Sequence, residues 1–149
     1  LGEINMREDL RAYLFIVNVE AIVRKQDRFL MITRSESDPY GAGWLTFPGG
    51  KVDGGLDRPD ILEESVRREI LEESGIIVGK VEYLKSKFFT IDDGIGVVDV
   101  VFVCEYNSGE PKTNDPDEVG SVQWMTKEEI LEHPKTQIWT KEDLGSLVK

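Results

Sequence analysis

The chain has 149 residues, 40% of them hydrophobic, and a formal net charge of −11, which suffices for one domain with a buried core. Eighteen Lys and Arg against 29 Asp and Glu argue against a long nucleic-acid backbone as partner, because affinity there rests on clustered cations. A single cysteine excludes a disulfide framework, and no stretch approaches the roughly 18 apolar residues of a membrane helix.

One soluble, cytoplasmic domain over residues 1–149 is therefore expected, with residues 1–10 flexible. Residues 11 to 24 are rich enough in β-branched and aromatic side chains to predict a strand, and Lys25-Gln26-Asp27 turns it into a second strand at Arg28 to Thr33. Ser35 to Gly43 reads as loop, and Trp44-Leu45-Thr46-Phe47-Pro48 leads into the glycine-rich stretch Gly49 to Gly55. Asp60, three residues before Glu63 and just after Pro59, has the spacing of a capping box. Gly75 is placed to close that helix in the left-handed conformation.

Two strands are predicted over 76–91 and 95–106, joined by a turn at Asp92-Asp93-Gly94. Cys104 falls within the second and reads as a small core residue. Asn107 to Asp117 is a polar loop, and Glu118 to Met125 returns to strand. Thr126 with Glu129 opens a short helix that Pro134 ends, and a last helix is expected after Thr140, with Asp143 as its capping partner. Hairpins interrupted by a mid-chain helix imply an α/β fold, a mixed β-sheet layered between helices.

The helix predicted from Asp60 to Gly75 holds the chemistry. Advancing about 100° per residue places Leu62, Val66, Ile70, Glu69 and Glu73 on one stripe, with Glu72 at its margin and Glu63, Glu64 and Arg67 opposite. Glu69, Glu72 and Glu73 stand at i, i+3 and i+4, so like charges crowd one patch. At ~6 Å and an effective dielectric near ~20 each pair costs roughly 3 kcal/mol. Arg68, four residues before Glu72, can hold one carboxylate but cannot balance three. An oxygen-only cluster suits Mg²⁺ or Mn²⁺, and a carbonyl of the preceding glycine loop can add a ligand. Cations, a bound water and a further carboxylate are the components of metal-assisted phosphoanhydride hydrolysis.

Arg68-Glu69-Ile70-Leu71-Glu72-Glu73-Ser74-Gly75-Ile76 resembles the signature of the Nudix hydrolases (MutT-like), Arg-Glu-U-x-Glu-Glu-x-Gly-U with U aliphatic, at every fixed position. The first half of that signature, Gly, five residues, Glu, departs. Asp60 stands where the family has Glu, nine residues after Gly50, which amounts to a four-residue insertion at Leu56 to Pro59. The resemblance implies a Nudix-type α/β/α sandwich over nearly the whole chain. It also implies hydrolysis of a nucleoside diphosphate linked to another moiety, such as a nucleoside triphosphate or ADP-ribose. By the same resemblance Glu72 and Glu73 are principal metal ligands and Glu69 a ligand or general base. Arg68 orients them, the Gly50 carbonyl contributes to the metal site, and Glu118 matches the further acid that members add from a later segment.

Substrate contacts are expected from Arg34 and Tyr40 at the first long loop and from Trp44 and Phe88, with Phe89, Trp124 and Trp139 as further aromatics able either to stack on a base or to pack. The partner is thus a small nucleotide, with no membrane and no long nucleic acid, and a homodimer is plausible. The alternative is a Nudix-like module that binds a nucleotide or nucleotide sugar as a sensor without cleaving it.

Overall fold

The computed structural model describes residues 7–147. Among these, β1 (Ile16–Lys25) is the strand on which the sheet is assembled. Along one edge it runs parallel to β6 (Gly96–Ser108), from Ile16 opposite Val97 to Arg24 opposite Glu105. Its other edge is divided: Asn18 to Glu20 pair antiparallel with β4 (Gly49–Lys51), and Arg24 and Lys25 pair with β2 (Arg28–Arg34). β2 then leaves to pair with β3 (Leu45–Thr46) and β7 (Val119–Thr126), while β5 (Ile77–Thr90) closes the far side against β6. The order β3-β2-β1-β6-β5, with β4 branching from β1 and β7 from β2, makes a mixed sheet of seven strands.

Alternation along β1 sends side chains to two separate cores. Val19, Ala21 and Val23 meet Val66 and Ile70 of α1 (Ile61–Ser74). Ile22 on the opposite face meets Val101, Ile130 of α2 (Lys127–Glu132) and Leu144 of α3 (Ile138–Gly145). The α/β/α sandwich expected from the order of elements is the fold observed. Cys104 is buried in the first core, where loss of water pushes its thiol up to about 12.

Several boundaries differ from expectation for physical reasons. β1 begins at Ile16 rather than at residue 11, because β6 offers its first partner, Val97, only there; Glu8–Tyr13 is a 3-10 turn. Of the ten residues expected to be flexible, 1–6 lie outside the described residues. Gly49 and Gly50 open the glycine stretch as a strand rather than a loop. Asp60 does precede α1, but at φ 55 its side chain makes no cap hydrogen bond, so the capping box with Glu63 is not formed. Gly75 closes the helix at φ 76, its N–H donating to the Leu71 carbonyl, as expected. Thr126 and Glu129 form both bonds of their capping box. The last helix starts at Ile138 instead of after Thr140, and Asp143 is buried within it and engaged by lysine rather than capping.

Candidate functional site

Residues on the inner stripe of α1 meet the β4 backbone at close range. Glu73, 8% exposed, accepts a hydrogen bond at Oε1 from the Gly49 N–H at 2.8 Å. A Cβ at Gly50 would stand 2.5 Å from Glu69 Cδ, so only glycine lets this strand touch the carboxylate. Arg68 lies between two acids, its Nη1 at 3.2 Å from Glu69 Oε1 and 3.4 Å from Glu72 Oε2. Glu72, with 56% of its side chain exposed, faces solvent and Arg68.

Glu69, Glu73, Gly49, Gly50 and Glu118 line a cavity of about 520 Å³. Its electrostatics follow from burial of like charges. Loss of water raises the Glu73 carboxyl to about 8, with Glu69 and Glu118 adding repulsion and the Gly49 N–H and Arg34 opposing it. Burial raises Glu69 too, with Arg68 working against that and Glu72 and Glu118 adding to it. Arg34, at the rim, donates from Nε to Asp38 Oδ2 at 2.9 Å, and Asp38 Oδ1 in turn accepts from the Tyr40 and Gly41 N–H groups.

A second cavity, of about 700 Å³, lies on the α3 face of the sheet. All four residues expected to touch substrate, Arg34, Tyr40, Trp44 and Phe88, line it, joined by Phe89 and Trp139. Trp44 and Trp139 pack edge to face with centroids 5.6 Å apart. Trp124 does not reach either cavity; it packs on Tyr106 with Lys25 over both rings. Asn18 and Arg34 line both cavities, so the two adjoin at these side chains.

Sequence reading missed the polar floor of the second cavity, where Asn18, Glu20 and Lys87 join Asp99. The signal was present, since Asn18 and Glu20 interrupt an apolar strand at period two and so share a face. Register then aligns Asn18 with Asp99 and Asp99 with Lys87 across three strands. Burial raises the Glu20 carboxyl well above the usual range, reinforced by contact with Asp99.

Among the described residues, no three His, Cys, Asp or Glu side chains stand close enough together to hold a metal as they are placed. The metal-ligating atoms that the acids of the first cavity offer are nevertheless all oxygen, and the half-buried Glu69 and buried Glu73 carry repulsion that a hard cation relieves. In kind, these residues fit Mg²⁺ or Mn²⁺. No helix among the described residues is long and apolar enough to cross a membrane.

The chain is similar to proteins of known family. The ADP-ribose pyrophosphatase of Methanocaldococcus jannaschii is 36% identical over 115 residues, which is 73% of this chain and 64% of that protein. The NAD-capped RNA hydrolase NudC of Vibrio cholerae is 30% identical over 108 residues, 72% of this chain and 36% of that protein. The chain thus spans less than two thirds of the length of these relatives. The crystal structure of a MutT NUDIX hydrolase from Burkholderia pseudomallei superposes with a TM-score of 0.75 at 29% identity, covering 91% of this chain and 99% of that one. The NUDIX domain profile matches residues 14–143, from just before β1 into α3, and the chain belongs to that family.

Proposed function

We propose that the protein hydrolyses the phosphoanhydride bond of a nucleoside diphosphate linked to another moiety, with water as nucleophile and Mg²⁺ or Mn²⁺ as cofactor. The observation that carries this reading is the junction of an acid-lined cavity with an aromatic one at Arg34 and Asn18. A nucleotide derivative has the matching two ends, phosphates and a planar ring. Relatives named for ADP-ribose and for NAD-capped RNA act on molecules of this kind.

Glu72 and Glu73, with Glu69 and the Gly50 carbonyl, are the groups that would hold the cation. A cation bound there would supply charge neutralisation for the phosphates and a more acidic water. Glu69 or Glu118 would take the proton, since both line the first cavity. Arg68 holds Glu69 and Glu72 in place. Arg34 is the cation positioned to meet phosphate where the cavities join.

The test is phosphate release from a nucleotide panel with Mg²⁺, for the wild type and for Glu72→Gln and Glu73→Gln. Wild-type turnover that EDTA abolishes, with each variant lowering kcat by about 10² to 10⁴ and keeping its circular dichroism, is the expected result. Near-normal turnover in both variants refutes the assignment. Stoichiometric binding without release across the whole panel makes the protein a sensing module instead.

A further inference from the structure

We propose that the floor of the aromatic cavity reads its ligand by accepting hydrogen bonds, so that the protein selects nucleotide derivatives whose ring carries an amino or amide N–H donor. The position of the ring rests on the two-ended reading above; the selectivity rests on an account of donors and acceptors in the floor itself.

The floor is a row across three strands, Asn18, Asp99 and Lys87, with Glu20 beside it on β1 and Asp143 reaching in from α3. Its donors are already engaged. Lys87 has three N–H groups and three acid neighbours, at 2.6 Å from Asp143 Oδ2, 3.3 Å from Glu20 Oε2 and 3.4 Å from Asp99 Oδ2. Asn18 Nδ2 donates to Asp99 Oδ1 at 2.7 Å. Lys85 donates to Ser146 Oγ at 3.1 Å and lies 3.2 Å from Asp143 Oδ1.

Acceptors, by contrast, are in surplus, since three carboxyls bring six oxygens. Asp143 Oδ1, which is buried, has only the Lys85 ammonium at 3.2 Å beside it. Three carboxyls face two ammonium groups, Lys85 and Lys87, so the floor has nothing to attract an anionic group. What Glu20, Asp99 and the Asn18 carbonyl oxygen present to the cavity is lone pairs. An edge bearing only carbonyl oxygens, or an anionic group, meets those lone pairs and loses its own hydration without replacement. A planar ring with an exocyclic amine satisfies the floor while Trp44, Trp139 and Phe88 hold its faces and edges.

The experiment measures quenching of tryptophan fluorescence, in EDTA, by two pairs of nucleoside 5′-diphosphates that differ by one amino group: adenosine against purine riboside, and guanosine against inosine. The wild type is expected to bind the amine-bearing member of at least one pair about tenfold more tightly. Glu20→Gln, whose amide can donate to Asp99 and still accept, keeps that preference, and Glu20→Ala reduces it to within about twofold. Equal binding within both pairs, no binding of any of the four, or an undiminished preference in Glu20→Ala overturns the proposal. The wild-type comparison decides even if Glu20→Ala does not fold. Phosphate release with Mg²⁺ is scored separately, so a protein that shows the preference but cleaves nothing loses the hydrolase reading and keeps this one.

Discussion

Gly50 sets the distance between the glycine strand and the acids of α1. A Cβ there would meet the two Glu69 carboxylate oxygens at 2.6 and 2.7 Å, whereas one at Gly49 would meet the Val19 carbonyl oxygen at 2.2 Å. These clashes differ in kind. A flexible side chain can move aside, but a paired backbone cannot. Gly50→Ala is therefore expected to cost less than about 1 kcal/mol in urea denaturation while lowering kcat about tenfold or more by displacing Glu69. Gly49→Ala is expected to cost about 3 kcal/mol. Equal stability losses in the two variants would contradict this. The helical period placed Glu69 and Glu73 inward without reference to any structure, and it set Glu72 at the margin, where it in fact turns out to Arg68.

At the level of elements, the four-residue insertion is held by a single side chain. Arg58 donates to the carbonyls of Gly54 at 2.7 Å and Leu56 at 3.0 Å, and from Nε to Glu64 Oε2 at 2.9 Å in the first turn of α1. Asp53, at the start of the same segment, lines the acid cavity. Removing the clamp leaves the Gly54 and Leu56 carbonyls to water and loosens the loop. Arg58→Ala is expected to speed proteolytic nicking between Asp53 and Pro59 several-fold, with a change of under about 1 kcal/mol in global stability because the ion pair is partly exposed. Unchanged nicking would show that the glycines alone order the loop. Local signals of this kind explain what was legible: the α1 boundaries, the β5–β6 hairpin and the Thr126 cap are written within a few residues. The start of β1, the strand character of Gly49 to Lys51 and the first turn of α3 were not, since each is fixed by a partner distant in sequence.

For the molecule as a whole, Asp143 ties the last helix to the sheet. Fully buried, it takes Lys87 at 2.6 Å and Lys85 at 3.2 Å, both from β5. Asp143→Ala leaves two lysines facing one fewer acid, and the expected loss is about 3 kcal/mol, read as a lower urea midpoint with an unchanged slope. A loss below about 1 kcal/mol would mean that apolar packing at Leu144 alone docks α3. The acid cavity was legible because a periodic segment of one helix announces it. The polar floor was not, because it exists only after three strands fall into register.

That register bears on the order in which the protein assembles. Gly49 and Glu73, which bring the acid cradle together, are 24 residues apart, whereas Asn18 and Asp99 in the ring pocket are separated by 81. Closing the longer loop costs more chain entropy and awaits synthesis of β6, so the parallel pairing of β1 with β6 is the slower event. During folding the phosphate end can form first, with its acids still uncompensated, and the ring end, on which selectivity depends, is completed only when the sheet closes.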